Sequence, residues 1–347
     1  IIDFCATFNW KIMSDIIDEI IAKKGFLLAD GATGTNLFNL GLEAGDPPEF
    51  WNVDEPDKIR SLYQGSVDSG CDLFLTNSFG GNASRLKLHN SEDRAYELSL
   101  AASKLGREVA DKSGREILVA GSIGPTGDIM GDAGWLSHNE AVQMFQVTAQ
   151  GLMDGGADLI WVETISSPEE FIAASEAIEN INAPWVGTMS FDTAGRTMMG
   201  VTSHDMSNLV KKMKYAPIGF GANCGVGASD LLRTVLGLNE NADRPIIAKG
   251  NAGIPKYVDG HIHYDGTPEV MAEYAVLARA CGATIIGGCC GTMPAHLKAM
   301  RRALDNYKVR DVPSLSEISK ALGPFSSLSD GIGDEPKPAR IRRGKRK

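Results

Sequence analysis

Residues 158–164 read DLIWVET, with four consecutive apolar side chains between an aspartate and a Glu-Thr pair. A run this short and this apolar is typical of a strand that is buried on both faces, as in a parallel sheet. Runs of the same kind recur along the chain. They are FLLAD at 26–30, DLFLTN at 72–77, EILVAGS at 116–122, PWVGTMS at 184–190, PIGFGANC at 217–224, PIIAKGN at 245–251 and ATIIGGCC at 283–290.

Helical patterns separate these runs. Apolar side chains in residues 57–70 fall on one helical face. Ser137 and Glu140 fit a capping box, and Thr267-Pro268 fits an N-cap followed by proline at the first helical position. Strands that alternate with helices in this way predict a single-domain (β/α)8 barrel. A doubly wound open sheet is the alternative, but DGATGT, not G-x-G-x-x-G, follows the first strand.

The ends of the chain differ from its centre. We predict that residues 1–13 are an extension outside the fold, with a helix starting at Ser14, and that residues 14–325 form the barrel. Residues 326–347 are polar, rich in Gly and Pro and basic at their end, so we expect a flexible tail.

Composition excludes several functional classes. The chain has 347 residues, 43% of them apolar, and a net charge of −10. An acidic protein repels phosphate, which argues against general nucleic-acid binding. We find no run of 18 apolar residues and therefore expect no membrane span. A cytoplasmic location is expected, and the sequence leaves homo-oligomer formation open.

Polar side chains follow nearly every predicted strand. In a (β/α)8 barrel the C-terminal ends of the strands meet at one face, where the chemistry takes place. Polar groups at the ends of apolar strands are costly unless they are used or paired. The residues concerned are Asp30, Thr76, Asn77, Ser122, Glu163, Thr164, Ser190, Asn223, Cys224, Asn251, Cys289 and Cys290.

Three of the six cysteines are at this face. Cys71 and Cys281 precede their strands and are interpreted as core residues. Cys224, Cys289 and Cys290 end the sixth and eighth strands, so their thiols should converge. Zinc prefers thiolates, and three protein ligands leave a fourth position open for a substrate. Three buried structural thiols are the alternative.

An open position on a thiolate-bound zinc suits the activation of a substrate thiol. A free thiol has a pKa near 8.5, and metal binding deprotonates it. Gly287, Gly288 and Gly291 allow the backbone to bend so that two consecutive cysteines can reach one ion.

Four motifs resemble the homocysteine S-methyltransferase family: DGATGT at 30–35, TNSFGGNASRL at 76–86, GANCG at 221–225 and GGCCGT at 287–292. The resemblance extends from about Gly25 to Arg302 and is strongest to bacterial betaine–homocysteine S-methyltransferases. It implies a zinc-binding barrel, homocysteine as methyl acceptor and methionine as product.

The resemblance also implies how homocysteine is held. Asp30 and Glu163 match the acids that bind the amino acid in the family, so we expect both at its ammonium group. Either acid could instead be paired with a basic neighbour. The backbone N–H groups of Gly31 and Ala32 are candidates for the carboxylate. Asn223 is expected to orient the metal ligands.

The methyl donor is the least determined part of the function. Glycine betaine is a quaternary ammonium, which aromatic faces bind well. Trp51, Tyr257 and Tyr264 are candidates for such a cage. Phe79-Gly80 departs from the tyrosine expected of mammalian betaine enzymes. S-methylmethionine, another sulfonium or a separate corrinoid protein are alternative donors.

Two rival functions remain open. A phosphate-binding barrel would explain Gly287-Gly288 but not the two thiols that follow. A non-catalytic zinc-binding barrel would need a fourth protein ligand, which His261 or His263 could provide.

Overall fold

The structure is a computed structural model that describes residues 4–130, 134–253, 256–258 and 261–331. The side chains of residues 4–10, 256–258 and 261–263 lie outside the description.

Eight parallel strands form one sheet. Their bounds are β1 Leu27–Leu28, β2 Leu73–Leu75, β3 Leu118–Ile123, β4 Leu159–Ile165, β5 Trp185–Met189, β6 Phe220–Cys224, β7 Ile246–Gly250 and β10 Ile285–Gly288. Their order in the sheet is β1-β10-β7-β6-β5-β4-β3-β2. Two further short strands, β8 Lys256–Val258 and β9 His261–His263, pair antiparallel in the loop after β7. Each of the eight parallel strands coincides with an apolar run identified from the sequence, and β3 and β4 extend one residue beyond theirs.

Helices alternate with these strands. Their bounds are α1 Phe4–Lys24, α2 Gly34–Asn39, α3 Trp51–Asp54, α4 Pro56–Asp68, α5 Ala83–Leu86, α6 Ala95–Lys112, α7 His138–Asp154, α8 Pro168–Asn180, α9 Ser203–Lys212, α10 Ala228–Asn239, α11 Pro268–Ala280, α12 Pro294–Asp305 and α13 Leu315–Leu322. Three 3-10 turns cover Pro48–Phe50, Lys87–His89 and Glu92–Arg94. The capping box at Ser137 and the N-cap at Thr267 are confirmed. The prediction of a single-domain (β/α)8 barrel is confirmed.

The barrel interior is apolar up to its last layer. One buried cluster combines side chains from every parallel strand except β6, and Ile218 joins it from just before β6. Met13 and Ile17 of α1 pack into the same cluster. Its strand residues are Leu27, Ala29, Leu73, Leu75, Ala120, Leu159, Trp161, Val186, Ile247 and Ile285. A larger cluster lies between the sheet and the surrounding helices.

Two aspartates join β1 to β2, which have no ladder of their own. The Asp72 N–H donates to the Leu28 carbonyl oxygen at 2.7 Å, and the Leu28 N–H donates to Asp72 Oδ2 at 2.9 Å. The Leu75 N–H donates to Asp30 Oδ2 at 2.8 Å. These bonds nearly close the barrel, because side-chain oxygens replace missing backbone acceptors.

Both predicted domain boundaries need correction. The first helix begins at Phe4, not at Ser14, and Met13 is 7% exposed, because its apolar spacing with Ile17 continues the helix upstream. At the other end, Ser326 and Ser327 are bonded to the buried Asp230–Arg233 pair of α10, so residue 326 does not begin a free tail. Residues 332–347 lie outside the described residues.

No helix within the described ranges has the length and apolar character needed to cross a membrane.

Candidate metal and substrate site

Three thiols converge where β6 and β10 end. The Sγ atoms of Cys224, Cys289 and Cys290 lie within 4.8 Å of one another, and those of Cys224 and Cys290 are 3.9 Å apart. Two thiolates on a tetrahedral zinc with Zn–S near 2.3 Å would be about 3.8 Å apart. In the part of the chain that the structure describes, no other group of three His, Cys, Asp or Glu residues converges in this way. The predicted convergence is confirmed, and Cys71 and Cys281 are buried outside this cluster.

Asn251 ties together the two segments that carry these thiols. Its Oδ1 accepts from the Cys290 N–H at 3.1 Å, and its Nδ2 donates to the Gly225 carbonyl oxygen at 2.8 Å. Cys224 has a φ of 61°, in the left-handed region. That conformation costs a residue other than glycine about 1–2 kcal/mol. The Asn251 bridge therefore helps to hold Cys224 in a conformation that aims its thiol at the other two.

Asn223 supports the cluster from the barrel side. Its Oδ1 accepts from the Thr164 N–H at 2.9 Å and from Thr188 Oγ1 at 2.7 Å. Its Nδ2 donates to Thr164 Oγ1 at 2.7 Å and lies 3.9 Å from Cys289 Sγ. The amide is thus fixed by three hydrogen bonds while it contacts a candidate metal ligand, and its role in orienting the metal ligands stays a prediction.

The thiols hold their protons strongly in this arrangement. A hydrogen bond with Cys289 lowers the pKa of Cys224, but contact with Cys290 and burial outweigh it, so that the pKa is raised to about 12. The pKa of Cys290 is likewise raised to about 12, although contact with Cys224 opposes the rise. A cation must therefore displace protons to bind here.

A polar layer lies on top of the apolar barrel interior. Alternate residues of a strand share a face. Glu163 follows the interior residue Trp161 by two positions, and Lys249 follows Ile247 in the same way. Both therefore point into the barrel just beyond its apolar core.

Glu163 keeps one carboxylate oxygen available. Ser122 Oγ donates to Glu163 Oε1 at 2.6 Å, and no described residue donates to Oε2. The residue is 8% exposed. Burial raises the pKa of Glu163, although Lys249 and the Ser122 hydrogen bond act against that rise.

Asp30 has both oxygens engaged. Lys249 Nζ lies 2.5 Å from Oδ1, and the Leu75 N–H donates to Oδ2. Pairing with a basic neighbour, which the sequence left open, is therefore what the structure shows. The expected contact of Asp30 with substrate stays a prediction.

Thr292 accepts a hydrogen bond from one of the two N–H groups expected to bind the substrate carboxylate. The Ala32 N–H donates to the Thr292 carbonyl oxygen at 3.0 Å, which corrects the expectation that this N–H is free. A Cβ on Gly31 would lie 2.6 Å from the same oxygen, so glycine permits this close approach of two loops. No described residue accepts from the Gly31 N–H.

The candidate cage residues Tyr264 and Trp51 lie in different surroundings. Tyr264 is beside the thiols: burial raises the pKa of its hydroxyl, and Cys290 raises it further by charge and a hydrogen bond. The Trp51 ring already carries Lys58 Nζ at 4.1 Å from its centroid, and no described contact joins it to the cysteines. The side chains of Tyr257, His261 and His263 lie outside the described residues.

Sequence reasoning missed Lys249. It is 2% exposed and lies next to both predicted acids. The signal was present, because Lys249 is the one basic residue in the eight apolar runs.

A homocysteine S-methyltransferase family model matches residues 27–304, which span all eight parallel strands and the three cysteines. This chain belongs to that family. Nothing in phosphate binding requires the three thiols that converge at this mouth, so family membership and the thiol cluster both count against a phosphate-binding barrel.

The family membership agrees with individual relatives. The chain is 28% identical to methionine synthase of Mycobacterium tuberculosis over 334 residues, which cover 90% of this chain and 28% of that protein. It therefore spans less than a third of the length of that relative. Among solved structures, the homocysteine methyltransferase MmuM of Escherichia coli matches in its metallated form with a TM-score of 0.69 and 23% identity, covering 82% of this chain and 98% of MmuM. Its oxidized form matches with a TM-score of 0.67 and 24% identity, covering 81% and 97%.

Proposed function

We propose that this protein transfers a methyl group to the thiol of homocysteine, giving methionine, with zinc held by Cys224, Cys289 and Cys290. The observation that carries the proposal is the convergence of three thiols at the mouth of a barrel of this family.

The donor set fits zinc. Soft thiolates favour zinc over magnesium or calcium, which take oxygen ligands. Three ligands at the observed spacing leave one tetrahedral position open. When bound, zinc supplies Lewis acidity that lowers the pKa of the acceptor thiol. A non-catalytic zinc barrel would need a fourth protein ligand; none of the described Cys, His, Asp or Glu residues provides one, and the side chains of its candidates His261 and His263 lie outside the described residues.

The chain's own residues would hold the amino-acid end of homocysteine. Glu163 Oε2 accepts no hydrogen bond from a described residue, and the Glu163 carboxylate is near enough to Cys289 to affect its pKa. Oε2 is therefore suited to accept a hydrogen bond from the substrate ammonium group. Asp30 adds negative charge next to it but is held by Lys249. The Gly31 N–H is suited to the carboxylate.

Glycine betaine is the proposed methyl donor. Tyr264 provides an aromatic ring beside the cysteines, which suits a quaternary ammonium. Tyr257 and Trp51 complete the proposed cage, although Lys58 must leave the Trp51 ring face for that role. S-methylmethionine, another sulfonium and a corrinoid carried on another protein are the alternatives. We place the reaction in the cytoplasm, with homo-oligomer formation left to experiment.

A methyl-transfer assay with separate donors tests this function. Zinc-loaded enzyme is incubated with homocysteine and either glycine betaine, S-methylmethionine or dimethylsulfoniopropionate, and methionine is quantified. We expect methionine from betaine, and loss of turnover in Tyr264→Ala. Methionine from S-methylmethionine but not from betaine would reverse the choice of donor. No methionine from any donor would count against the chain acting alone.

A further inference from the structure

Lys249 places an ammonium group on the floor of the site. Its side chain is 2% exposed, and the Trp161 ring centroid lies 5.2 Å from Nζ. Nζ carries three N–H donors, and the contact with Asp30 is the one hydrogen bond it makes among the described residues. Two donors of a buried cation therefore have no acceptor among the described residues, a state that normally costs free energy.

The strand register places Lys249 one step before the level of Cys224, which lies opposite Gly250. Lys249 lies opposite Asn223 of β6 and opposite Gly287 of β10. One step further along, the Cys289 N–H donates to the Gly250 carbonyl oxygen at 2.7 Å. A Cβ on Gly287 would lie 3.1 Å from Lys249 Cγ, so this glycine leaves room for the lysine stem.

The charges around Lys249 keep it protonated. Burial lowers the pKa of Lys249, but the carboxylates of Asp30 and Glu163 act against burial, and the net shift is upward. Arg233 is the other strongly buried cation among the described residues. It is paired with Asp230 on α10 and donates to the Ser327 carbonyl oxygen, so it does not face the barrel interior. In the described interior of the barrel, Lys249 is the cation available to a substrate.

We propose that Lys249 is a specificity-determining residue, whose positive charge selects acceptor thiols that carry a carboxylate. This inference rests on the proposed function. Glu163 offers an oxygen that can accept from the ammonium group of an amino acid, and Lys249 offers N–H groups that can donate to its carboxylate. The two side chains together therefore complement a zwitterionic amino acid. The substrate carboxylate needs a side-chain hydrogen-bond donor, because the Ala32 N–H is already bonded to the Thr292 carbonyl oxygen.

Acceptor selectivity tests the role of the charge. Homocysteine is compared with 3-aminopropane-1-thiol, which keeps the thiol and amine and lacks the carboxylate. Affinity is measured by calorimetry on zinc-loaded protein, and kcat/KM by methyl transfer. In Lys249→Met we expect homocysteine binding and kcat/KM to fall about 10- to 100-fold, as for a lost charge-assisted hydrogen bond, with 3-aminopropane-1-thiol within about twofold of wild type.

Two further variants make the test decisive. Lys249→Met leaves the buried Asp30 carboxylate without its cation. The double variant Asp30→Asn with Lys249→Met removes both charges, and it should also lose selectivity for homocysteine over 3-aminopropane-1-thiol. Lys214→Met, at an 86% exposed side chain on the surface, is the control and should behave as wild type. Equal losses for both acceptors, or an unchanged ratio in the neutralised pair, would overturn the inference. If wild type methylates neither thiol, the proposed function has failed instead.

Discussion

Replacing Asn251 by alanine should loosen the metal site without removing any of its ligands. The side chain is 2% exposed and bonds to the Cys290 N–H and the Gly225 carbonyl oxygen. Losing these two bonds frees the loop that carries Cys290 from the loop that follows Cys224. Cys224 can then leave its left-handed conformation, in which its φ is 61°.

The size of the effect follows from those contacts. Each lost hydrogen bond contributes a net of about 1 kcal/mol, so the two together give about 2 kcal/mol. Residues that orient metal ligands typically change metal affinity about 10- to 100-fold when they are replaced, which is the same range. We therefore expect Asn251→Ala to bind zinc about 30-fold more weakly than wild type.

A competition titration with a zinc chelator measures this change. Asn77→Ala is the matched control, because Asn77 is also a buried asparagine at a strand end but bonds to the Pro48 carbonyl oxygen and to Asn52, away from the thiols. The control should lose stability and keep its zinc affinity. Wild-type zinc affinity in Asn251→Ala, or an equal loss in both variants, would refute the reasoning.

Three further predictions concern substrate, protons and stability. Glu163→Gln should lower homocysteine affinity about 10-fold or more by calorimetry while zinc content is unchanged; full affinity would make Glu163 structural. Because Cys224 and Cys290 have pKa values raised to about 12, both are protonated at neutral pH without metal, so zinc uptake should release protons and tighten as pH rises. Calorimetry in buffers of different ionisation enthalpy would detect that release, and buffer-independent heats would contradict it. Asp72→Asn should lower the free energy of unfolding by about 3 kcal/mol in denaturant titrations, because Asp72 bonds to the Leu28 N–H and forms ion pairs with Lys24 and Arg301. Asp68→Asn, at an exposed aspartate, is the control. Equal stabilities of the two variants would show that Asp72 does not stabilise the fold through these contacts.

The fold was predictable because its signals are local. An apolar run such as 158–164 marks a buried strand, and the direction of the strand decides which end carries the chemistry. Strand direction alone separates the three converging cysteines from the core cysteines Cys71 and Cys281. It also predicts that Glu163 and Asn223 lie near the C-terminal ends of their strands, where the structure has them.

What the sequence could not show depends on contacts between distant residues. Asp30 and Lys249 are far apart in the chain, and their pairing appears only when β1 and β7 are on either side of β10. The same is true of Thr292, which takes the Ala32 N–H. The cage residues were harder still, since a tryptophan such as Trp51 packs equally well against a lysine as against a substrate.

Metal analysis of cysteine variants tests the central claim most directly. Wild type and the single variants Cys224→Ala, Cys289→Ala and Cys290→Ala are purified, and zinc per chain and homocysteine methyl transfer are measured on the same samples. Cys71→Ala, at a buried cysteine away from the cluster, is the control. We expect one zinc per chain in wild type and control, and loss of most zinc and activity in the other three. Full zinc occupancy in Cys290→Ala would contradict the account.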